Sequence, residues 1–270
     1  MSAESYGILH STSAPSGPVG QIIESLQVRG FAVIPDALAM NQVDDLNERL
    51  DDVYLTQCNE VGGEASLLNI VDSDIVRCPL AYDSAFLDLA VNPLITSVAR
   101  EALGQNIVLL MQNGIINRPN RPQPQTRWHR DLNYQHWVSS KPLAISALAC
   151  LEDFTVETGG TVFLPASHKF KDFPSLELVE IAAVFIEARK GSIIVFDSMV
   201  FHRAGVNQSS RIRRGINHVI GAPILTQQIC IPSMLAQPPP DDPWLAGYLG
   251  YRWNPVSSVR DWRLRKLHAA

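Results

Sequence analysis

The sequence predicts an α+β fold in which N-terminal helices back a double-stranded β-helix, also called a jelly roll. Apolar residues recur at helical spacing up to about residue 105, whereas from Ile107 onward short apolar runs alternate with proline and glycine clusters. A chain of 270 residues with 46% hydrophobic residues can also enclose one sizeable core. We therefore expect a single domain over residues 19–270, preceded by a disordered segment at residues 1–18 that is rich in serine, proline and glycine.

The helical part is predicted to begin with an amphipathic helix at residues 19–29, which ends at Gly30 and leads into a strand at residues 31–35. A second helix is expected at residues 41–56, where Asn41 can cap the first turn. A third helix is expected at residues 84–103. Between the second and third helices, Gly62 and Gly63 predict a mobile stretch that could close over a functional site.

The strand part contains two segments that bear on function. Residues 191–202 carry a β-branched and aromatic run after a turn signal, which predicts a buried strand with His202 at its end. Residues 211–220 alternate, so that Ile212 and Ile216 share one face while Arg213 and Asn217 share the other. Residues 118–125 hold three prolines and predict a loop.

The C-terminal extension, from about residue 224, is rich in aromatic side chains. Such side chains are more often anchors packed on a β core than groups that stack on a substrate. We expect this packing role for Trp244, Tyr248, Tyr251, Trp253 and Trp262.

Composition limits the classes of function. A net charge of -5 and a pI of about 5.8 argue against nucleic acid or an anionic membrane as the main partner. The first residues lack the basic start and apolar centre of a signal peptide, and no apolar run is long enough to span a bilayer. The dispersed Cys58, Cys78, Cys150 and Cys230 are typical of reduced thiols. These features predict a cytoplasmic protein, and they leave its oligomeric state open.

A metal site is indicated by His129, Asp131 and His202. In an extended strand, residues at positions i and i+2 leave the same face, so His129 and Asp131 can converge on one ion while Arg130 points away. Two imidazoles and one carboxylate are the ligand set that holds non-haem Fe(II) on one face and leaves other positions open. The alternative is a histidine at the end of a strand that is satisfied by a neighbouring aspartate.

Arg213 lies eleven residues after His202, on a strand that is predicted to be half-buried. A buried arginine is costly unless a carboxylate or phosphate meets it, and its planar guanidinium suits bidentate binding of a carboxylate. The distal carboxylate of 2-oxoglutarate would satisfy this requirement.

Together, three motifs resemble the phytanoyl-CoA dioxygenase family of Fe(II)/2-oxoglutarate oxygenases. They are Trp-His-Arg-Asp at residues 128–131, Gly-Gly-Thr-Val-Phe-Leu-Pro-Ala-Ser-His-Lys at residues 159–169, and the spaced set His202, Asn207, Ser209 and Arg213. The resemblance extends from about Val28 to Pro223. It implies a cupin-like jelly roll in which His129, Asp131 and His202 bind Fe(II), Arg213 binds the cosubstrate 2-oxoglutarate, and O2 is consumed.

The resemblance also implies that polar residues on the strand before the His-x-Asp motif contact 2-oxoglutarate. Asn117 and Asn113 fit this role, and Thr161 is a further candidate. For Asn117, a plain amide at the end of a strand is the alternative. Tyr134, His136 and Trp137 could overhang the metal and bind a partly polar small molecule, although a packed loop would have the same sequence.

The activity implied by the resemblance is hydroxylation of an unactivated C–H bond of a small-molecule metabolite, with release of succinate and CO2, as in a biosynthetic pathway. Desaturation, epimerisation or cyclisation would use the same cofactors. A halogenase is disfavoured because Asp131 fills the position that halide needs. A metal-binding isomerase of cupin type, or a binding module, is the alternative from a different class, and neither needs Arg213. No basic cluster that would bind the phosphates of an acyl-CoA is evident.

Overall fold

The computed structural model describes residues 17–121, 123–253 and 255–268. The predicted disordered segment at residues 1–18 lies mostly outside these ranges. The helices within them are α1 (Gly17–Arg29), α2 (Met40–Glu60), α3 (Glu64–Asn69), α4 (Ser84–Ala90), α5 (Pro93–Leu103), α6 (Leu176–Ala182), α7 (Ile231–Leu235), α8 (Pro243–Tyr248) and α9 (Val259–His268). The strands are β1 (Phe31–Ile34), β2 (Ile75–Arg77), β3 (Val108–Asn117), β4 (Ala144–Cys150), β5 (Thr161–Phe163), β6 (Val184–Ile186), β7 (Ile193–Asp197), β8 (His202–Ala204) and β9 (Arg213–Gly221).

The strands form two antiparallel sheets, and the predicted α+β jelly roll is confirmed. The large sheet has the order β1-β7-β4-β9-β3-β2, and the small sheet has the order β6-β5-β8. β7 and β8 follow each other directly in the chain but belong to different sheets. The predicted single strand at residues 191–202 is therefore wrong, because a turn at residues 198–201 carries the chain from one sheet to the other.

The two faces of the large sheet carry different side chains. On the outer face, residues of β4, β7 and β9 such as Ala147, Val195 and Ile216 pack against buried residues of α1, α2, α4 and α5 in the main hydrophobic core. On the inner face, Leu148 and Phe196 join Phe163 of the small sheet in a second core. The polar inner residues of β9, Arg213 and Asn217, lie beside this inner core: Asn217 is opposite Leu148, and Arg213 contacts the ring of Phe154.

Three details of the helical part differ from the prediction. Residues 84–103 form two helices, because Asn92 caps α5 by accepting hydrogen bonds from the backbone N–H groups of Leu94 and Ile95, and Pro93 occupies the first turn. Asn41 does not cap α2, since the helix already begins at Met40 after Ala39. The first helix also includes Gly17, which the prediction had placed in the N-terminal segment.

The C-terminal aromatic residues follow the predicted packing role in part. Tyr248 is fully buried and its hydroxyl donates to the carbonyl oxygen of Ala90, while Trp244 stacks on Tyr248. Trp253 packs against a third hydrophobic cluster. Trp262, in α9, is more than half exposed, so the prediction that it is a core anchor is wrong. Within the described ranges, no helix combines the length and apolar character needed to cross a membrane.

Candidate active site

His129, Asp131 and His202 come together at one end of the barrel. One ligand atom from each residue lies within 4.8 Å of the others. The two imidazole rings are 4.3 Å apart between centroids, and Asp131 Oδ1 lies 3.6 Å from His202 Nε2. His202 and Asp131 are both largely buried. A group of this kind fits a divalent ion with imidazole and carboxylate ligands.

The backbone around His129 differs from the predicted strand. His129 makes a single β-bridge with His202, in which each backbone N–H donates to the carbonyl oxygen of the other residue at 3.0 Å. The chain then enters a turn at Asp131, whose backbone N–H donates to the carbonyl oxygen of Ser198 at 3.0 Å. The three side chains converge because this bridge joins the segment of His129 and Asp131 to that of His202. The prediction that His129 and Asp131 share the face of a regular strand is wrong, because the turn begins at Asp131.

Arg130, between the two ligands, points away from them as predicted and is buried in a loop. Its guanidinium donates to the carbonyl oxygens of Met199, Lys171, Ser167 and Phe170 and lies 3.8 Å from the centroid of the Phe201 ring. The side chain thereby ties the first ligand segment to residues just before His202. The sequence indicated its direction but none of its partners.

Both histidines present the same nitrogen to the site. Nδ1 of His129 lies 2.8 Å from the carbonyl oxygen of Arg127, and Nδ1 of His202 lies 3.0 Å from that of Val200. A carbonyl oxygen only accepts, so each Nδ1 carries the proton and each Nε2 keeps a lone pair for a metal. Burial, followed by the nearby His129, lowers the pKa of His202 to about 4, which keeps its ring neutral as metal binding requires.

Asp131 has one oxygen occupied and one available. Its Oδ2 accepts from the hydroxyl of Ser146 at 2.5 Å and from Nδ2 of Asn217 at 3.0 Å. The Ser146 hydroxyl is also 2.8 Å from that of Ser198. Oδ1 therefore remains as the ligand atom that faces His202.

Arg213 lies on the inner face of β9 and is only 2% exposed. Its Nη2 donates to the carbonyl oxygen of Gly159 at 2.8 Å, and its guanidinium lies 4.3 Å from the centroid of the Phe154 ring. Nε has no hydrogen-bond partner among the described residues. Burial lowers the pKa of Arg213 to about 10. A buried cation with an unsatisfied donor fits the carboxylate of a bound molecule.

The position of Gly159 depends on its lack of a side chain. Its φ is +73°, and a Cβ there would lie 2.4 Å from the carbonyl oxygen of Gly205 and 2.8 Å from Nδ2 of Asn117. Only glycine adopts this conformation in so little space, which lets its carbonyl reach Arg213. The Gly-Gly pair of the sequence motif therefore has a packing role beside Arg213.

The model of the family described as phytanoyl-CoA dioxygenase matches residues 26–215, which is well over half of the chain. The chain belongs to the phytanoyl-CoA dioxygenase family. This is a family of Fe(II)- and 2-oxoglutarate-dependent oxygenases, as the sequence motifs had predicted.

Two sequence relatives and one solved structure are similar to this chain. The uncharacterized protein Rv1501 of Mycobacterium tuberculosis is 28% identical over 214 residues, which cover 77% of each chain. The dioxygenase af480 of Aspergillus fumigatus is 26% identical over 200 residues, covering 71% of this chain and 62% of its own. The epimerase SnoN, solved with Fe3+, α-ketoglutarate and nogalamycin RO, is 18% identical with a TM-score of 0.58, covering 83% and 91%. The last likeness concerns the fold.

The residues predicted to contact 2-oxoglutarate occupy different positions in the sheets relative to Arg213. Asn117 is directly opposite Arg213 in the β3–β9 register, and its Nδ2 donates to the carbonyl oxygens of Gly205 and Gly159 at 3.1 and 3.4 Å. Asn113 is opposite Asn217, four residues further along the strand. With its amide oriented by hydrogen bonding, Asn113 accepts from Nη1 of Arg77 at 3.0 Å. Thr161 is buried in β5, opposite Ala204.

The predicted substrate contacts follow Asp131 in the turn. Tyr134 and Trp137 are 52% and 54% exposed. His136 lines a cleft of about 310 Å³ together with Trp128, His129 and Lys171. Of the three residues of the metal group, only His129 lines this cleft, which also includes Arg130 and Phe201.

The sequence reasoning missed Ser146 as a partner of Asp131, and it identified Asn217 only as a neighbour of Arg213 on one strand face. Ser146 is the single hydroxyl in the otherwise apolar strand Ala144–Cys150, which is a signal that a polar partner lies nearby. For Asn217 the signal was its even spacing from Arg213.

Proposed function

We propose that the protein hydroxylates an unactivated C–H bond of a small-molecule metabolite in an Fe(II)- and 2-oxoglutarate-dependent reaction. The observation that carries the proposal is the presence of a buried Arg213 with an unpartnered Nε beside the His129, Asp131 and His202 group. Asn217, on the same face of β9 as Arg213, donates to Asp131 of that group. The balanced reaction joins substrate, 2-oxoglutarate and O2 and yields hydroxylated substrate, succinate and CO2. One oxygen atom enters the substrate and the other enters succinate.

We propose separate roles for the side chains of this site. Nε2 of His129, Nε2 of His202 and Oδ1 of Asp131 would hold Fe(II), and Arg213 would hold the far carboxylate of 2-oxoglutarate through its Nε and Nη groups. The bound metal would supply the activation of O2 that an apolar C–H bond requires. The aromatic and apolar inner wall near Phe163 and Phe196 would exclude water from this reaction.

Arg213 favours this proposal over a cupin-type isomerase or a binding module. A module that only holds a metal gains nothing from a desolvated guanidinium, because burying an unpaired charge reduces stability. The unsatisfied Nε of Arg213 therefore indicates that a carboxylate binds there. Asn117, which lies opposite, and the less directly placed Asn113 and Thr161 are proposed to line the same cosubstrate.

The substrate side is proposed to include Tyr134, His136 and Trp137, which follow Asp131 in the chain. Their partial exposure and the adjoining cleft suit a small molecule that enters from solvent. Since three of the four cysteines are buried thiols, a reducing, cytoplasmic location is also part of the proposal.

The direct test is a succinate-release screen with Fe(II), 2-oxoglutarate, ascorbate and a panel of metabolites under air. Hydroxylation predicts that one compound stimulates succinate release and gains one oxygen atom, which derives from labelled O2. His129→Ala and His202→Ala should abolish both turnover and stoichiometric Fe(II) binding. Fe(II) binding that persists unchanged in both variants would contradict the metal site.

Product analysis in the same screen separates the alternatives within the class. Desaturation would remove two hydrogen atoms, whereas epimerisation would leave the product mass unchanged, and both would still consume 2-oxoglutarate. Full conversion of a substrate in the absence of 2-oxoglutarate would contradict the whole proposal. Arg213→Ala serves as the internal control, because it should lose 2-oxoglutarate binding and retain Fe(II) binding.

A further inference from the structure

Asp131 is held by two side chains that lie far from it in the sequence. The Ser146 hydroxyl and Nδ2 of Asn217 both donate to the same oxygen, Oδ2, at 2.5 and 3.0 Å. Ser146 uses its proton on Asp131, so the hydroxyl of Ser198 must donate to Ser146 in turn. Ser198 also accepts from the backbone N–H of Asp131. Asp131 is thus held by its backbone N–H and by one carboxylate oxygen, Oδ2.

The amide of Asn217 keeps this contact at a cost. Asn217 is 8% exposed, and its Oδ1 has no hydrogen-bond partner among the residues that the structure describes. A buried acceptor without a donor reduces stability. The amide is therefore oriented so that its Nδ2 donates to Asp131 while its Oδ1 is left without a donor. Unsatisfied buried groups of this kind call for a functional explanation.

The location of the two donors has a consequence for metal coordination. A carboxylate can bind a metal through one oxygen or through both. When two donors occupy Oδ2, only Oδ1, which faces His202 Nε2 at 3.6 Å, is available to the metal. A second metal bond from Oδ2 would have to displace both hydrogen bonds.

We propose that Ser146 and Asn217 are positioning residues that hold Asp131 as a one-oxygen ligand and so keep a coordination position open for 2-oxoglutarate or O2. The inference rests on the proposed function for its chemical purpose. The positioning itself depends only on a metal that is bound by His129, Asp131 and His202. Outer partners of metal ligands commonly contribute 10- to 100-fold in metal affinity.

The first test measures the dissociation constants of Fe(II) and of Co(II), without 2-oxoglutarate and without oxygen. We expect Asn217→Leu and Ser146→Ala each to raise these constants by about 10- to 100-fold. Gln112→Leu is the matched control. Gln112 is a buried amide on the outer face of the same sheet, where it contacts Leu80, Phe86 and His218 but no metal ligand. Its metal affinity should remain that of the parent.

The second test separates positioning from a purely structural role. At saturating Co(II), the intensity of the d–d absorption depends on coordination number and geometry. The double variant of Asn217→Leu and Ser146→Ala frees Oδ2, so we expect the weaker spectrum of a higher coordination number and a shifted charge-transfer band when Fe(II) and 2-oxoglutarate are added anaerobically. A loss of folding stability alone would move neither spectrum once the site is full.

Parent-like metal affinity in both single variants would overturn the proposal, as would parent-like spectra in the double variant or an equal loss of affinity in Gln112→Leu. Should Asn217→Leu fail to fold, Ser146→Ala carries the test, because it removes one hydroxyl and little volume. Failure of the proposed function would look different. In that case the metal affinities of Asn217→Leu and Ser146→Ala would still fall as expected, but the parent loaded with Fe(II) would bind no 2-oxoglutarate and release no succinate.

Discussion

Two buried arginines, Arg130 and Arg213, illustrate opposite uses of the same side chain. Each guanidinium lies over an aromatic ring, Phe201 for Arg130 and Phe154 for Arg213. Arg130 donates to four backbone carbonyl oxygens, whereas Arg213 donates to the carbonyl oxygen of Gly159 and keeps an unpartnered Nε. The hydrogen bonds of the first arginine are satisfied within the protein, and the second is the one that we propose binds a carboxylate.

Two buried histidines repeat this contrast. Nδ1 of His218 donates to the carbonyl oxygen of Ala147 and its Nε2 accepts from Nε2 of Gln112, so the ring has no free position. His202 has its Nδ1 occupied in the same way but keeps Nε2 open toward Asp131. In these two pairs, a polar atom without a hydrogen-bond partner in the described part of the chain separates Arg213 and His202 from Arg130 and His218.

The largest effect that this contrast predicts is on folding. Arg130→Met should lower the free energy of unfolding of the metal-free protein by about 3–5 kcal/mol, because buried carbonyl oxygens lose a charged donor. Urea unfolding measures this loss. Arg213→Met, made alongside, should be neutral or stabilising, since it removes an unpaired buried charge. Equal destabilisation by the two variants would mean that the different hydrogen bonding of the two arginines does not affect the free energy of unfolding.

The next effect concerns the ligand. Arg213→Ala should raise the dissociation constant of 2-oxoglutarate at least roughly tenfold, because truncating one partner of a desolvated arginine–carboxylate pair costs about 2–5 kcal/mol. Arg213→Lys restores the charge without the planar fork and should recover only part of the loss. Anaerobic calorimetry with Fe(II)-loaded protein gives both values. A parent-like affinity of Arg213→Ala would show that another residue binds the carboxylate.

A smaller effect should appear on the acid side of the stability profile. Burial lowers the pKa of His218 to about 4, so between about pH 6.5 and 4 the unfolded chain binds a proton that the folded protein does not. The free energy of unfolding should therefore fall as the pH falls through this window, by up to about 1.4 kcal/mol per pH unit from this residue. His218→Asn should flatten the slope by that amount. An unchanged slope would show that His218 is protonated in the folded protein.

The smallest effect is expected at Arg211, two residues before Arg213 and exposed. Arg211→Ala should change the dissociation constant of 2-oxoglutarate by less than about twofold, since substitutions of exposed side chains are usually worth within 0.5 kcal/mol. The same calorimetry decides this. A larger effect than that of Arg213→Ala would mean that the arginine at the family's expected offset is not the one that binds the carboxylate.

Much of the site could be predicted because its signals are local in the chain. The alternation at residues 211–220 correctly placed Arg213 and Asn217 on one strand face and His218 on the other. On β3 the same period of two residues turns Gln112 away from Asn113 and Asn117. Such assignments depend on a period of two residues, which a strand imposes whatever packs against it.

The tertiary structure alone decided what each of these side chains meets. Ser146 and Asn217 reach Asp131 from positions 15 and 86 residues away, and β7 and β8 separate into two sheets within a few residues. No periodicity in the sequence records such pairings, because hydrogen bonds between distant segments depend on how the sheets close. For the same reason the sequence could indicate that Arg130 points away from the ligands and that Arg213 is buried, but only the folded barrel determined which of the two arginines finds its partners within the protein.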